Sequence, residues 1–316
     1  MKKTVIATLL LVMTALVTRA QDSQTAYNFL RLPVSTHASA LGGDNITIIE
    51  DEPTLMFHNP ALLSNVSDKT IGMSYMNYME GVHTASACFN RIVKERASWA
   101  ASGQFIDYGK MKQTDEYNVE SGEFSARDIA ITGYFSYLLT NRIAGGVSAR
   151  IIQSTLGNYN SMAVGVDLGL NYFDPERLWS VSIVAKNLGG QIKAYNEEYD
   201  RMPTDLQIGV SKQMQNMPVR FHLTLIDLNH WGYRFANHVI AGVDVMPSHQ
   251  TWVGIGYNFR RADEMKIASG NDGESSHSAG LSLGAGINLE RFKLGISYSR
   301  YHVSSKALML NLGYTL

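Results

Sequence analysis

The residues able to do chemistry are scattered along this chain, and their spacing says more than their number. The nine histidines are His37, His58, His83, His222, His230, His238, His249, His277 and His302, and they show no ligand spacing. A His-Glu-x-x-His motif would put two imidazoles on one helix face around zinc, and none is present. The Gly-x-Ser-x-Gly spacing at Gly280-Leu281-Ser282-Leu283-Gly284 falls inside an alternating segment and not at a strand-to-helix elbow, and there is no glycine-rich phosphate loop. Cys88 is the single cysteine, which excludes an intramolecular disulfide and a cysteine zinc site. No cofactor and no catalytic residue are expected. A hard cation among Asp115, Glu116, Glu197, Glu198 and Asp200 competes with the simpler reading of solvated, charged loops.

What remains is charge inside regular structure. Asp107, Asp128, Asp167, Asp227 and Asp244 fall in segments that read as strands, with Arg127, Arg150, Lys186 or Arg220 as expected partners. By alternation Asp167 and Asp244 lie on the polar face. A cation at mid-depth on a lipid-facing wall costs roughly 2–4 kcal/mol, and an acid less, so such charges belong inside a lumen. Asp167, Asp244, Lys186 and Arg220 are the candidate lumen charges. They either fill a polar lumen, which is the favoured expectation, or hold a plug in it.

The elements that position these charges are a train of short alternating segments. At the C-terminus Leu308, Leu310, Leu312, Tyr314 and Leu316 alternate with Met309, Asn311, Gly313 and Thr315. Met162, Val164, Val166, Leu168, Leu170 and Tyr172 form one face of the clearest segment, with Ala163, Gly165, Asp167, Gly169 and Asn171 on the other. Val219 to Leu225, Val239 to Val245, Ala279 to Leu289 and Phe292 to Tyr298 repeat the theme; 82–92 and 97–107 carry small residues on both faces and leave their registers open. An apolar face backed by small or polar residues suits lipid outside and a polar lumen inside. A soluble sandwich would more often carry Lys and Glu on its outer face.

From 70 to 316 the pattern gives fourteen candidate strands. Their connections sort into long ones near 108–124, 188–204 and 259–277, and tight ones such as Asp174-Pro175-Glu176 and Leu289-Glu290-Arg291. Outer-membrane barrels have short periplasmic turns and longer extracellular loops. Tyr75, Tyr78, Tyr108 and Tyr301 are expected near the outer rim. Tyr137, Tyr172, Phe173, Trp179, Trp252, Phe292 and Tyr314 are expected near the inner one.

The ends complete the plan. Lys2 and Lys3 precede an apolar run from Val5 to Val17 and a Thr18-Arg19-Ala20 cleavage site, so 1–20 reads as a signal peptide. Residues 21–69 lack alternation and read as helical turns: a compact plug segment, with Gly42 and Gly43 at a bend and Asn59-Pro60-Ala61 after a helix start at Asp51-Glu52-Pro53. The net charge of −1 argues against nucleic acid. The fold class is all-β: a 14-stranded antiparallel transmembrane β-barrel over 70–316, with an N-terminal plug.

The ordered set Phe29-Leu30-Arg31-Leu32-Pro33, Ala38 to Gly43, Asp51 and Asn59 to Leu63 resembles the N-terminus of the FadL-like outer-membrane barrels. Asp107-Tyr108-Gly109, Gly122 to Asp128, Val166 to Leu170 and Lys186 to Gly189 extend the likeness to the PorQ/PorV branch of the type IX secretion system. The resemblance implies a plugged fourteen-stranded barrel at the cell surface of a Gram-negative bacterium. It also implies a PorQ-like role: holding a PorZ-like surface protein within a complex that has a PorU-like peptidase and a PorV-like barrel, amid outer-membrane lipid and lipopolysaccharide.

Two functions follow as expectations. One is a non-enzymatic anchor whose extracellular loops dock the partner, with Tyr117, Tyr195, Tyr199 and Trp231 as candidate docking residues, since aromatics often anchor interfaces. The other is a FadL-like transporter of a hydrophobic small molecule, which needs an apolar path past the plug and a lateral opening. The small, polar lumen faces weigh against that path, and the plug weighs against a passive pore.

Overall fold

The computed structural model describes residues 25–79, 81–115, 117, 119–248, 250–268, 274–275, 278–302 and 305–316. The expected signal peptide, Glu116, His249 and His277 lie outside the described residues.

Fourteen strands close into one antiparallel barrel. In chain order they begin with β1 (Thr70–Asn77), β2 (His83–Lys94), β3 (Ala97–Thr114), β4 (Glu120–Thr140) and β5 (Ile143–Leu156). Next come β6 (Tyr159–Asp174), β7 (Trp179–Lys193), β8 (Asp205–Gln213), β9 (Val219–Leu225), β10 (Val239–Ser248) and β11 (Thr251–Asn258). Strands β12 (Ile267–Ala268) and β13 (Glu274–Ser275) make a small ladder of their own in the next connection. Then β14 (Leu281–Asn288), β15 (Phe292–Arg300) and β16 (Lys306–Thr315) finish the wall. Closure pairs Thr70 with Thr315 through Asn77 with Leu308, so neither end strand leaves a free edge there.

The alternation read from the sequence is the inside–outside pattern of the wall. Met162, Val164, Val166, Leu168 and Leu170 are exposed on the outer face, while Ser161, Ala163 and Asp167 are buried inside. Leu308, Leu310 and Leu312 point out, and Met309 and Asn311 point in. The open registers at 82–107 are fixed by pairing from His83 with Asp107 to Ile92 with Ser98.

Several expectations need correction. The long connection placed at 108–124 is mostly strand, because β3 and β4 continue pairing to Thr114 and Glu120. The connection placed at 188–204 starts only after Lys193. Ala279 precedes β14 and is buried, and Asp227 follows β9 rather than lying in it. Arg127 is exposed on the outer face and so is not a lumen partner. Trp252 is not in the interfacial belt: it is buried in the lumen, stacked on His37.

Residues 25–69 form short helical turns, Asn28–Arg31, Thr36–Ala40, Pro53–Phe57 and Pro60–Asn65, folded inside the barrel. Most of this segment is buried, with Leu41, Ile46, Ile48, Leu55, Leu62 and Leu63 nearly inaccessible. Each turn is too short to be stable alone, so its stability is tertiary. Local caps help: Ser35 Oγ accepts from Ala38 N, and Asn59 Oδ1 accepts from Ala61 N.

Candidate functional site: the sealed lumen and the extracellular rim

The inward glycines of the wall are where the plug comes closest. A Cβ on Gly256 would lie 2.5 Å from Leu41 Cα and nearer still to Leu41 C and Gly42 N. A Cβ on Gly146 would collide with the Pro60–Ala61 peptide, and one on Gly169 with Asn59 Oδ1. Gly42 and Gly43 take φ of +108° and +114°, the left-handed region where a side chain is strained. The five motif residues Gly42, Gly43, Asn59, Pro60 and Ala61 are therefore contact points between plug and wall. Asn59 also donates through Nδ2 to Ile46 O at 3.0 Å, which ties two plug turns together.

The strongest link is a buried charge cluster. His37 sits between Glu50 (Nδ1 to Oε2, 3.0 Å) and Asp244 of β10 (Nε2 to Oδ2, 2.7 Å). Arg220 of β9 donates to both carboxylates, at 2.6 Å each. His222 reaches Asp244 Oδ1 at 3.3 Å through Nε2, and its Nδ1 accepts from Asn45 Nδ2 at 2.9 Å. Trp252 stacks on His37 with ring centroids 3.7 Å apart. Two cations thus face two anions, bridging plug and wall. Burial alone would pull His37 down, but Glu50 and Asp244 hold it up at about 9. Burial would raise Glu50, but His37 and Arg220 hold it down at about 2.

A second link joins Lys186 of β7 to Asp44 of the plug at 3.0 Å. His58 lies beside it, with Nδ1 4.0 Å from Asp44, and burial together with the Lys186 charge depresses its pKa to about 3. Its neutral Nε2 accepts from Val34 N and Ser35 N. Near the periplasmic end Lys293 pairs with Asp51 at 2.8 Å, and Asn311 Nδ2 donates to Val34 O and Thr54 Oγ1. Asp167 behaves differently. It is bound by Arg150, by Ser148 Oγ at 2.8 Å and by Asn187 N at 2.7 Å, all within the wall.

Of the four candidate lumen charges, Asp244, Arg220 and Lys186 therefore hold the plug, and only Asp167 fills the wall. The favoured expectation of filler charges is corrected for those three. The plug partners His37, Asp44 and Glu50 were missed, because no local pattern pairs a residue with another 142 to 207 positions away. His37, Glu50 and Glu52 place ligand atoms within 4.8 Å of one another, yet each is already engaged: Glu52 accepts from Ser35 Oγ and Thr54 Oγ1. With Arg220 against Glu50, a metal ion would have to displace an existing cation.

The void at the seam between Thr36, Glu52, Thr54 and Lys293 is about 10 Å³, room for no more than one water. A hollow of about 1140 Å³ lies instead on the outer wall, lined by residues such as Met73, Tyr75, Phe105, Leu294 and Ile296. The wall also has a break in register between Val166 and Leu168, opposite β7. Asn187 fills it, held by Arg150 and donating to Pro203 O, and the neighbouring Gly189 packs directly against Val164 O.

At the long-loop end, Tyr117, Tyr199 and Trp231 are exposed, and Phe235, not singled out from the sequence, is exposed as well. Tyr195 is not available for docking: it stacks on Tyr27 of the plug and donates to Ser154 Oγ. The 226–238 connection is braced, since Asp227 pairs with Arg260 and His230, and Arg260 lies over the Tyr233 ring at 4.5 Å.

Solved structures share this architecture. The Pseudomonas putida toluene transporter TodX aligns at a TM-score of 0.55 with 12% identity, covering 90% of this chain and 98% of that one. A Pseudomonas aeruginosa FadL homologue gives 0.52 and 11%, covering 89% and 97%. The CymD monoaromatic hydrocarbon channel gives 0.53 and 13%, covering 90% and 96%. The fold is FadL-like. No family model matches the chain, and no curated protein matches it. At such low identity the likeness establishes the fold of an outer-membrane barrel and nothing finer.

Proposed function

We propose that this chain is a sealed, non-enzymatic outer-membrane anchor that holds a soluble surface protein at its extracellular rim. This is the PorQ-like role in a type IX secretion attachment complex, with a PorZ-like partner and with PorU-like and PorV-like proteins nearby. The observation that carries the reading is the filled lumen. Plug and wall are joined by the His37–Glu50–Arg220–Asp244 cluster and by Lys186–Asp44, and the void between them beside Thr36, Glu52, Thr54 and Lys293 has no room for a ligand. A barrel closed in this way has its exposed loops left for function, and these carry Tyr117, Tyr199, Trp231 and Phe235. The test is a mild-detergent pull-down of the tagged protein from native outer membranes. Recovery of a PorZ-like surface protein in fixed stoichiometry supports the anchor; the barrel alone, with a bound hydrophobic molecule, refutes it.

The second reading, transport of a hydrophobic small molecule, is favoured by the fold shared with proteins named as a toluene transporter and a monoaromatic hydrocarbon channel. The register break at Asn187 is the place where the wall would open. Toluene uptake into vesicles carrying the barrel, lost when Asn187 is changed, would support this reading over the anchor.

A further inference from the structure

At the periplasmic end of the wall three tight turns lie side by side: 95–96 between β2 and β3, 141–142 between β4 and β5, and 175–178 between β6 and β7. The first two are tied together. Leu138 N donates to Arg96 O at 2.8 Å, and Arg96 Nη2 donates to Asn141 Oδ1 at 3.4 Å. Phe173 N donates to Arg142 O at 2.8 Å, which ties the middle turn to the end of β6. Around the middle turn the outer face is hollowed by about 700 Å³, with Arg96, Leu139, Asn141, Arg142, Ile143 and Tyr172 in the lining.

Two kinds of side chain meet in this hollow. Its floor is apolar and belongs to the lipid-facing wall. Tyr172 is the cross-strand partner of Ile143 and is exposed at the foot of the column that carries Leu168 and Leu170. Leu139 is exposed and lies over Gly145, where an added Cβ would be 3.4 Å from Leu139 Cδ1 and 3.6 Å from Leu170 Cδ2. Its rim is cationic. Arg96 and Arg142 stand beside the exposed rings of Tyr137, Tyr172 and Trp179, the aromatic residues of the inner membrane interface.

Neither guanidinium is used up. Arg142 donates to Glu176 at 2.8 Å and reaches Asp174 only at 3.5 Å. The Glu176 pair is solvent-exposed, and such pairs hold weakly. Among the described residues Arg96 has no carboxylate partner, and Asn141 is its side-chain acceptor. A guanidinium has several N–H donors in a planar fork that matches the oxygens of a phosphate.

We propose that this hollow docks an anionic phospholipid of the periplasmic leaflet, with its phosphate on Arg96 and Arg142 and an acyl chain along Leu139, Ile143 and Tyr172. Depth decides the occupant. The floor continues the lipid-facing wall, so hydrocarbon covers it in the membrane. The headgroup beyond that hydrocarbon carries the charge that the two arginines complement. A free anion would meet the arginines and leave the floor bare. The inference does not depend on whether the barrel anchors or transports.

The test uses the full chain folded in phosphatidylcholine vesicles doped with phosphatidylglycerol that carries a photoreactive acyl chain. Mass spectrometry locates the adducts, and heat-modifiable gel migration reports that each variant is folded. Adducts should concentrate on 139–143 and Tyr172, and should be roughly fivefold fewer there when phosphatidylcholine carries the same chain. Arg96→Gln and Arg142→Gln should each lower them by a similar factor. Arg127→Gln, at an exposed arginine of the opposite rim, should leave them unchanged. Inorganic phosphate should compete no better than chloride at equal ionic strength. Adducts spread evenly round the wall, equal yields from the two lipids, or wild-type yields in both hollow variants would overturn the proposal. So would loss of a co-purifying periplasmic protein in those variants with the lipid adducts unchanged, since the hollow would then be a protein interface.

Discussion

Replacing Gly256 by alanine tests the sealed lumen with a single methyl group. The ladder itself has no objection, because Gly256 pairs with Gly242 and Ser282 and any residue fits an antiparallel wall there. The obstacle is the plug. The new Cβ would lie 2.5 Å from Leu41 Cα, and atoms closer than 3.0 Å must shift. The atoms in the way are backbone, so no rotamer relieves the clash. The nearer Leu41 carbonyl carbon must clear the same limit, so the plug must retreat by nearly an ångström at its Gly42 bend, where it is also wedged against Ile240. Overpacking of this kind costs about 1–3 kcal/mol, roughly a 5- to 150-fold shift of plug docking towards the loosened state. Cys88 supplies the assay. It is buried in a cluster with Met56, Leu63 and Val66 of the plug, so a maleimide should label it slowly in the folded barrel. In Gly256→Ala the labelling rate should rise by that factor while gel migration still reports a folded barrel. Gly103→Ala, where nothing lies within 4 Å of the added Cβ, should label like wild type. Equal rates in all three proteins would refute the claim that the plug fills the lumen by backbone contact.

Further outcomes follow from the charges and the closed path. Asp244→Asn leaves Arg220 and His37 sharing one buried carboxylate, Glu50, and should lower plug stability by about 3 kcal/mol, the low end for a broken buried pair; limited proteolysis of the plug should speed up accordingly. His37 is held at about 9 in the fold against 6.5 when free, so its contribution is complete below about 6.5 and is lost as pH rises through 9. Cys88 labelling, normalised to that of the unfolded protein at the same pH, should therefore accelerate above pH 9 in wild type more than in His37→Gln. Glu50, at about 2, adds stability present above its ordinary value of 4.5 and lost only as pH falls towards 2. His58 acts with the opposite sign to His37: it is buried neutral, so stability should decline as pH falls from 6.5 towards 3, and His58→Gln should flatten that slope in a denaturation series. Planar-bilayer recordings of the wild-type barrel should show no steady conductance, and a stable open pore would contradict the filled lumen.

The wall was legible because a barrel strand writes its environment into alternate residues. Met162 to Tyr172 and Leu308 to Leu316 each have one lipid side and one lumen side, and period two reveals both without knowledge of any partner. The plug bend at Gly42–Gly43 and the helical turn that starts at Pro53 were legible for the same local reason: positive φ and an early proline are properties of one or two residues. Where the pattern was local but ambiguous, at 108–124, pairing beyond the membrane extended the strands further than hydrophobicity could announce, since a solvated ribbon has no apolar face to betray it.

By itself, then, the sequence determined an all-β, fourteen-stranded wall with a non-alternating segment ahead of it, and the side of the wall on which Asp167, Asp244, Lys186 and Arg220 lie. Only the tertiary structure decided what those charges do. Asp167 is satisfied by Arg150 and Asn187 in its own wall, whereas Asp244 meets His37 from the plug, 207 residues earlier. Alternation records which face a residue is on. Which distant residue occupies that face depends on how the plug threads the closed barrel, and no short-range periodicity encodes it.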